Sequence, residues 1–400
     1  MLHVIPSHQS RPSDDPIFAL NKEAIAKKER GDRVINATVG SLLYDDGRLA
    51  VLPTATRAVR EVSVDEWAAY APIAGSPAFL RAVIDDLFAD EPEMRNAACA
   101  VATPGGTGAL RHAVANFIEP GQSVLTTSFF WGPYQTLADE ADRKVATFSM
   151  FDARGDLDLD ALDRAIASQI AAQNRVLIFL NDPCHNPTGY SMRPDEWRGV
   201  VERLLSHAHR APITLLVDTA YFMYGAREPR AFLKELRPLV GKVALLFAWS
   251  ASKSFTHYGL RVGALVACVT DANEREKTEA ALVYSCRGTW SNCTRGGQSA
   301  ITRLLTDASL RSACDKEREE LRALLLKRVE AFNAVAPSKG LKYPRYEGGF
   351  FVTVFHDDSA AKAAQMKDRG VFVVPSKGAL RVALCSVAEK DVGALVEALA

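Results

Sequence analysis

The stretch "WSASKSFTHYGLRVGAL", residues 249–265, places two cations, Lys253 and Arg261, in a part of the chain with the texture of a buried segment. It continues the apolar run "VALLFAW" and ends in "VGAL", so both cations flank predicted strands. A charged side chain in such a place is costly unless it is paired or holds an anion. The alternative is a solvated or ion-paired position, because long cationic side chains often reach water from apolar surroundings. The ends of the other strands decide between these interpretations.

Bulk composition argues against some classes of partner. The 400 residues allow two or three domains around a sizeable core, and a hydrophobic share of 48% is ordinary for a soluble globular protein. Lys and Arg together number 48, as do Asp and Glu, so the formal net charge is zero. Nucleic acid or an anionic membrane as the main partner would favour a basic surplus, which the sequence lacks. A local pocket for a small anion stays open.

Cysteine usage and the amino terminus predict a reducing, cytoplasmic location. No pair of cysteines has metal-ligand spacing, and their number is odd. The polar start "MLHVIPSHQSRPSDDP" has no apolar signal core, and no apolar stretch approaches the length of a membrane span. The seven cysteines are Cys99, Cys184, Cys268, Cys286, Cys293, Cys314 and Cys385.

Short apolar runs alternate with amphipathic stretches along most of the chain. Runs such as "RVLIFL", "ITLLVD" and "KVALLFAW" are bounded by turn residues and are typical of buried strands. Stretches such as "LDLDALDRAIASQIAA" and "PDEWRGVVERLLSHAH" have helical periodicity. The alternation predicts an α/β fold with a large domain in which helices flank a mostly parallel sheet.

The alternation of strand-like and helical stretches ends at about residue 295. A long helical region starts at "GGQSAITRLL" and contains no proline before Pro337, although a break or kink within it stays open. The strand-like runs "GGFFVTVF" and "VFVVPSKGALRVALC" follow it. These elements predict a smaller α+β domain that the N-terminal segment completes. We place the N-terminal arm and part of the small domain at 1–46, the large domain at 47–310 and the small C-terminal domain at 311–400.

Ligands of open α/β sheets bind beyond the carboxyl ends of the strands, so the residues that follow each predicted strand are site candidates. In "TPGGTGALRHA", Gly105, Gly106 and Thr107 form a turn that opens a helix. Free N–H groups at a helix N-terminus suit a phosphate, and glycines allow close approach. A tight turn without a ligand has the same pattern, because glycine-rich turns are common.

Aromatic and amide side chains follow the next strands. Trp131, in "FFWGPY", is placed to stack on a flat ring with Tyr134 nearby, although core packing is the commoner fate of such aromatics. Asn186 precedes a proline in "NDPCHNPTGY" and can donate to an anionic ring oxygen. A structural Asn-Pro turn is the alternative for Asn186.

A carboxylate and a lysine follow two further strands. Asp218 ends "ITLLVD", where a carboxylate is costly unless it is paired, and Tyr221 lies close behind it. A buried carboxylate suits a cationic ring nitrogen, although capping a helix is a common role of aspartate. Lys253 follows Ser250, and a desolvated lysine beside other cations favours the neutral amine that forms a Schiff base.

Taken together, these strand ends would supply a phosphate cradle, a stacking aromatic, an amide donor, a carboxylate and a lysine. One cofactor needs that whole set, namely pyridoxal 5′-phosphate, with its phosphate, flat ring, phenolic oxygen, ring nitrogen and aldehyde. Pyridoxal phosphate is therefore the predicted cofactor, and no metal site is predicted.

On these residues the chain resembles the class I pyridoxal-phosphate aminotransferases of fold type I, and within them the aspartate/aromatic branch. The motifs "TPGGTGALR", "HNPTG", "DTAY", "SASKSFTHYGLRVG" and "LRVAL" occur in that family's order and spacing over nearly the whole chain. The resemblance implies a seven-stranded sheet in the large domain, a homodimer, and amino-group transfer by a ping-pong mechanism.

The resemblance also implies a role for each matched residue. Lys253 would be the catalytic lysine that binds the cofactor aldehyde, and Asp218 would pair with the protonated ring nitrogen. Tyr221 and Asn186 would hydrogen-bond the phenolic oxygen, and Trp131 would cover the ring. The phosphate would be bound by Gly105, Gly106, Thr107, Ser250, Ser252 and Arg261, with Tyr70 reaching the phosphate of the neighbouring subunit.

Further matches concern the substrate. Arg381, in "LRVAL", would bind the α-carboxylate as a bidentate fork. Gly40 would lie where the small domain closes over the substrate, and Trp131 and Asn186 would also contact it. Arg287, in "CRGTWSN", matches an arginine that clamps a side-chain carboxylate across the dimer interface, and a surface arginine is the alternative.

Three positions depart from the pattern of the aspartate enzymes. Cys293 stands where the family usually has a proline after "SN". Tyr134 stands where the aspartate enzymes carry a histidine near the ring-binding aspartate, and Asn181 stands where they often have another histidine. These departures put strict aspartate specificity in doubt.

The predicted function is an aminotransferase that moves an amino group from aspartate, glutamate or an aromatic amino acid to a 2-oxo acid such as 2-oxoglutarate. A pyridoxal-phosphate lyase or synthase of the same fold is the alternative, and Arg287 and the intact "LRVAL" favour transamination over it. A non-enzymatic ligand sensor is less favoured, because the chain has no room for a DNA-binding domain before the aminotransferase segment and no basic surplus.

Overall fold

The computed structural model describes residues 3–12 and 15–400 of the chain. Its strands, in chain order, are β1 (Ile35–Asn36), β2 (Ala98–Pro104), β3 (Ser123–Thr127), β4 (Lys144–Phe148), β5 (Val176–Asn181), β6 (Ile213–Asp218), β7 (Ala244–Ser250), β8 (Val262–Cys268), β9 (Val352–Phe355), β10 (Val371–Phe372), β11 (Val374–Ser376) and β12 (Ala379–Val382). Its α-helices are α1 (Pro16–Glu29), α2 (Pro53–Arg60), α3 (Val64–Ala68), α4 (Pro77–Leu87), α5 (Pro92–Asn96), α6 (Gly105–Phe117), α7 (Pro133–Asp139), α8 (Leu159–Gln173), α9 (Pro194–His207), α10 (Leu233–Leu236), α11 (Ala251–Ser254), α12 (Ala272–Thr289), α13 (Arg295–Thr306), α14 (Ala308–Val335), α15 (Ser359–Asp368) and α16 (Val392–Leu399).

The central feature is a seven-stranded sheet with the strand order β2-β8-β7-β6-β5-β3-β4. The pairs among β3, β4, β5, β6 and β7 are parallel, whereas β8 runs antiparallel to both β2 and β7. All residues of β5 and β6 are buried, as expected of strands covered by helices on both faces. The predicted α/β fold with a mostly parallel seven-stranded sheet is confirmed.

This strand order gathers several chain segments at one edge of the sheet. Asp218, the last residue of β6, is paired in register with Asn181 at the end of β5 and with Ala248 near the end of β7. Because β8 is antiparallel, its amino end lies at the same edge, with Gly263 opposite Ser250. Arg261, which precedes β8, is thereby brought to the carboxyl ends of the parallel strands.

The bounds of the surrounding helices follow from local chemistry. α8 begins where the side chain of Asp158 accepts a hydrogen bond from the backbone N–H of Ala161, and it ends at Asn174 in a left-handed conformation with φ 53°. α9 begins with Pro194 in its first turn, where the missing N–H costs nothing. Both ends of α8 and the first turn of α9 therefore coincide with capping or helix-starting residues in the sequence.

The predicted long helical region is interrupted. α13 ends at Thr306, and the side chain of Asp307 accepts hydrogen bonds from the backbone N–H groups of Ser309 and Leu310 at the start of α14. An aspartate in this position terminates one helix and caps the next, because its carboxylate satisfies N–H groups that have no partner inside the helix.

Packing divides the chain into two compact units. The larger unit comprises 50–326 and 347–349, and the smaller one comprises the described residues up to Leu49, 327–346 and 350–400. The sequence pattern predicts boundaries at 46 and 310, whereas the packing divides the chain after Leu49 and after Leu326. Because α14 continues without a break through residue 326, no local signal in the sequence marks that boundary.

The smaller unit has its own two sheets and its own core. β1 pairs in parallel with β10, and β11, β12 and β9 form an antiparallel sheet. Its buried core includes Ile35, Phe332, Val354, Leu380 and Leu395, which come from both ends of the chain. In the part of the chain that the structure describes, no helix is both long and apolar enough to cross a membrane. All seven cysteines are buried and free of disulfide bonds.

Candidate active site

A cavity of about 210 Å³ lies in the larger unit, beyond the carboxyl ends of the parallel strands. It brings together all the predicted cofactor-binding residues except Gly105 and Tyr70. Three lining residues, Leu110, Asn181 and Ala220, were not among those predicted. The lining residues are Gly106, Thr107, Leu110, Trp131, Asn181, Asn186, Asp218, Ala220, Tyr221, Ser250, Ser252, Lys253 and Arg261.

Arg261 and the start of α6 form a cationic corner of this cavity. The Arg261 guanidinium donates to Ser252 Oγ at 3.2 Å, to the Tyr258 carbonyl at 2.9 Å and to the Pro104 carbonyl at 3.1 Å. Three hydrogen bonds hold its position, and the first N–H groups of α6 have no partner within the helix. The corner therefore combines a fixed cation with backbone donors, which suits a phosphate.

Gly105 is required in this corner for two reasons. Its φ of +72° lies in the left-handed region, and a Cβ at this position would stand 2.4 Å from Arg261 Nη2. Only glycine avoids both the backbone strain and the displacement of the guanidinium. Although Gly105 does not line the cavity, it decides where Arg261 lies.

Replacement of Gly105 by alanine is expected to raise the dissociation constant of pyridoxal phosphate about tenfold or more, since the displaced guanidinium loses a charge-assisted contact with the phosphate. Absorbance titration of the apoprotein with pyridoxal phosphate measures this change. Gly259→Ala is the matched control, because a Cβ on Gly259 meets nothing within 4 Å. Equal dissociation constants for Gly105→Ala and the wild type would contradict this account of the corner.

Asp218 also lines the cavity and is 5% exposed. Its Oδ1 accepts from the backbone N–H of Ala220 at 3.1 Å, and its Oδ2 accepts from the Tyr134 hydroxyl at 2.8 Å. Burial raises the pKa of Asp218 above its ordinary value, while these two hydrogen bonds and the nearby Lys253 act to lower it. Such a carboxylate is suited to a cationic partner inside the cavity.

Lys253 lies against Tyr221, with its Nζ 5.1 Å from the centre of the Tyr221 ring. Its backbone carbonyl accepts a hydrogen bond from the buried Tyr224 hydroxyl at 3.1 Å, which fixes the turn that carries the lysine. Asn186 Nδ2 donates to the Tyr221 hydroxyl at 3.4 Å, and the Asn186 backbone N–H donates to Asn181 Oδ1 at 2.7 Å. The lysine, a phenol and an amide thus meet on one side of the cavity.

Trp131 forms a further wall of the cavity. Its ring is half-buried and meets the ring of Tyr134 edge-on, with centroids 5.9 Å apart and an interplanar angle of 88°. Tyr134 in turn packs edge-on against Phe179, at 5.2 Å. Trp131 therefore packs against neighbouring aromatic residues, as the core-packing interpretation expects, and it also lines the cavity.

Sequence reasoning missed Leu110, Ala220 and Tyr224. Helical spacing would have found Leu110, which lies one turn after Thr107 on α6. Ala220 stands inside the quoted "DTAY" motif. The Tyr224 hydroxyl had no local signal, because its hydrogen bond joins residues 29 positions apart.

Tyr70 and Arg287 are not among the residues that line the cavity in this chain. Tyr70 is 86% exposed. Arg287 lies on the last turn of α12, is exposed, and donates to Ser291 Oγ at 2.7 Å. Both side chains are therefore presented on the surface of the larger unit.

Gly40 and Arg381 lie in the smaller unit, where Phe351 links them. A Cβ on Gly40 would stand 2.4 Å from Cζ of Phe351, and the Arg381 guanidinium lies over the same ring, 4.8 Å from its centre. Arg381 also donates to the Thr38 carbonyl. The side chain of Arg381 is thus held between an aromatic face and the backbone next to Gly40.

Comparison with known proteins gives a consistent result. The family model described as aminotransferase class I and II matches residues 32–399. The chain is 28% identical to a tyrosine aminotransferase of Klebsiella pneumoniae, with 92% of this chain and 93% of the relative covered. It is 29% identical to an aspartate aminotransferase of Pseudomonas aeruginosa, with 84% and 85% covered. The fold is similar to the crystal structure of an aminotransferase from Anaerococcus prevotii, with a TM-score of 0.95 and 33% identity over 100% of this chain and 98% of that one.

Proposed function

The chain belongs to the aminotransferase class I and II family, and from that premise we propose that it transfers amino groups between amino acids and 2-oxo acids with Lys253 as the catalytic residue. The observation that carries this proposal is the arrangement of Lys253, Asp218 and Arg261 around one cavity at the end of the parallel strands. A lysine, a carboxylate and an anion-binding corner in a single cavity are what pyridoxal-phosphate chemistry requires.

The cofactor of the family is pyridoxal phosphate, and the residues present fit it. The corner at Arg261 and Gly105 suits the phosphate, because a Cβ on Gly105 would fill the space of the guanidinium. Asn186 is 4% exposed, and among the residues that the structure describes its Oδ1 has no hydrogen-bond partner, which leaves the amide open to a ligand. The buried Asp218 suits a protonated ring nitrogen.

Each residue of the cavity has a distinct task in the proposed reaction. When bound, pyridoxal phosphate supplies an electron sink that stabilises negative charge at the substrate Cα. Lys253 would hold the cofactor through its aldehyde, and its freed amine would remove the proton at the substrate Cα as a general base and pass it on as a general acid. Asp218 holds the proton at the ring nitrogen, and Tyr221 and Asn186 donate hydrogen bonds to the phenolic oxygen.

Two halves of this reaction give a ping-pong mechanism. In the first, an amino acid leaves its amino group on the enzyme and departs as a 2-oxo acid; in the second, another 2-oxo acid takes up the amino group. We propose 2-oxoglutarate as that acceptor, and Arg381 as the ligand of the α-carboxylate. Its planar guanidinium can form two parallel hydrogen bonds to a carboxylate, and Phe351 and the Thr38 carbonyl hold it in place.

The amino donor is proposed to be aspartate, glutamate or an aromatic amino acid, in line with the named activities of the Klebsiella and Pseudomonas relatives. Arg287 would clamp a side-chain carboxylate in the active site of a neighbouring subunit. Its exposure and its position at the end of α12 support that proposal, since it is absent from the cavity of its own chain.

Arg287→Ala is expected to lower kcat/KM for aspartate roughly 10²-fold, because the buried side-chain carboxylate of the substrate loses its charged partner. The kcat/KM for tyrosine is expected to change by only about threefold or less, because tyrosine has no carboxylate there to lose. Lys277→Ala, which removes an exposed positive charge from the same helix, is the control. An unchanged value for aspartate would refute the clamp.

A homodimer in a reducing, cytoplasmic compartment is part of the proposal. Tyr70, which is 86% exposed, and Arg287 are available to a neighbouring active site, and seven cysteines without a disulfide bond are compatible with a reducing environment. Analytical ultracentrifugation tests the dimer. A mixture of Lys253→Ala and Tyr70→Ala is expected to be more active than the sum of the two separate variants if one subunit completes the site of the other.

The proposed function is tested by reduction of the cofactor-loaded protein with borohydride, followed by peptide mass spectrometry, which is expected to find the cofactor on Lys253. A panel of aspartate, tyrosine, phenylalanine and a branched-chain amino acid, each with 2-oxoglutarate, then identifies the donor. Release of pyruvate or ammonia without an acceptor would instead favour a lyase.

A further inference from the structure

We propose that Tyr134 is a positioning residue that keeps the Asp218 carboxylate ionised and aimed at the cofactor ring nitrogen. The inference rests on the proposed function, because it concerns the residue that would hold that nitrogen. Tyr134 is 1% exposed, and its hydroxyl donates to Asp218 Oδ2 at 2.8 Å across 84 positions of sequence.

The direction of this hydrogen bond follows from the chemistry of the two groups. An ionised carboxylate only accepts, so the phenol must donate its single hydrogen to Asp218. The Ala220 N–H occupies Oδ1 from the other side, at 3.1 Å. The carboxylate thus has one neutral donor on each oxygen and retains lone pairs for a third partner in the cavity.

These two donors oppose the effect of burial. Burial alone disfavours the charged form of Asp218, and a neutral carboxylic acid would not balance the charge of a protonated ring nitrogen. A hydrogen bond to a charged group is equivalent to about ten- to a hundredfold in an equilibrium constant. Removal of the phenol is therefore expected to reduce the proton affinity of the ring nitrogen by a factor in that range.

The hydrogen bond from the Tyr134 phenol to Asp218 is also independent of pH over the working range. Burial and the adjacent carboxylate raise the pKa of Tyr134 well above its ordinary value, so it stays a neutral donor. The other titratable groups that act on this pair are Lys253 and Tyr221, both on the cavity side. An imidazole in place of the phenol would instead add a group that can change its charge within the working pH range.

The surroundings of Tyr134 hold its hydroxyl in position. The ring stacks on Phe130, with centroids 6.2 Å apart and an interplanar angle of 11°, and it meets Phe179 edge-on at 5.2 Å. It also contacts Trp131, which lines the cavity. The short segment from Trp131 to Tyr134 therefore supplies both an aromatic wall of the cavity and the hydrogen-bond donor to Asp218.

The test uses the full-length protein loaded with pyridoxal phosphate that carries 15N at the ring nitrogen. The 15N chemical shift reports the protonation of the ring nitrogen. In Tyr134→Phe, the pH at which the ring nitrogen loses its proton is expected to be about one to two units lower than in the wild type. The dissociation constant of pyridoxal phosphate is expected to rise about tenfold or more. A purely structural tyrosine would leave the 15N titration unchanged.

Two further variants complete the experiment. Tyr190→Phe is the matched control, because Tyr190 is also fully buried and donates to a carboxylate, that of Glu196, outside the residues that line the cavity. It is expected to lower the melting temperature without moving the 15N titration. Tyr134→His keeps an N–H that can donate to Asp218 in either protonation state, and the protonated imidazole adds a positive charge beside the carboxylate. The 15N titration of this variant is therefore expected to differ from that of the wild type in the pH range where the imidazole changes its charge.

Each outcome supports or overturns the inference. Unchanged 15N titration in Tyr134→Phe, with a wild-type circular dichroism spectrum, would overturn it. If Tyr134→Phe does not fold, the pH dependence of Tyr134→His decides, and a titration identical to that of the wild type would overturn the inference. Failure of the wild type to bind pyridoxal phosphate would instead reject the proposed function itself, before either variant is compared.

Discussion

Lys253→Ala is expected to reduce turnover with any amino donor about 10⁴-fold or more, which is the largest effect of any single substitution in the cavity. The methyl side chain can neither bind the cofactor aldehyde nor move the proton at the substrate Cα, so two functions are lost at once. Steady-state rates with aspartate or tyrosine and 2-oxoglutarate measure the effect. The absorption band of covalently bound cofactor is expected to disappear as well.

Lys242→Ala is the control for this variant, because Lys242 is an exposed lysine of the same unit and lies outside the cavity lining. It is expected to keep wild-type turnover and the wild-type absorption band. Turnover of Lys253→Ala within about tenfold of the wild type, with the fold intact, would reject Lys253 as the catalytic residue.

Asp218→Asn is expected to have the second largest effect, a loss of about 10²- to 10³-fold in kcat. The amide has nearly the shape of the carboxylate and can still accept from Tyr134, but it carries no charge to hold a proton at the ring nitrogen. The electron sink weakens as a result, and the dissociation constant of pyridoxal phosphate is expected to rise. Both quantities are measured on the purified variant, with kcat taken at saturating cofactor.

Asp86→Asn is the matched control for the loss of a buried carboxylate. The Asp86 carboxylate is 7% exposed and is paired with Arg230 and Arg311, each at 2.7 Å, outside the cavity lining. Its replacement is expected to lower the melting temperature, because it leaves two arginines without their buried carboxylate partner. The value of kcat is expected to stay within about threefold of the wild type, because Asp86 does not contact the cofactor cavity. An equal loss of kcat in both variants would show that Asp218 acts through stability.

Local sequence was sufficient to predict the fold class and most of the cavity. Buried strands, turn residues and helix starts are encoded by hydrophobic periodicity and by caps, which act over a few residues. A residue just beyond a buried strand therefore has a predictable place, and Trp131, Asn186, Asp218 and Lys253 all line the cavity as their strand ends indicated. The family roles of these residues stay predictions until the variants are measured.

Features that depend on which strands become neighbours could not be predicted from such signals. The antiparallel β8 brings Arg261 back to the carboxyl edge, and nothing in "GLRVGAL" states which strand it will pair with. The extent of the smaller unit also depends on packing, because α14 continues without a local stop signal through residue 326.

The sequence by itself determined that a lysine, a carboxylate, an amide and an arginine stand at strand ends, because the chemistry of each turn is written in consecutive residues. Only the tertiary structure decided how these groups act on one another. Tyr134 contacts Asp218 across 84 positions, and Gly105 places the guanidinium of Arg261, because the strand order and side-chain packing bring distant segments within hydrogen-bond reach. The whole fold determines which distant side chains come into contact, whereas the sequence determines which chemical groups those side chains carry.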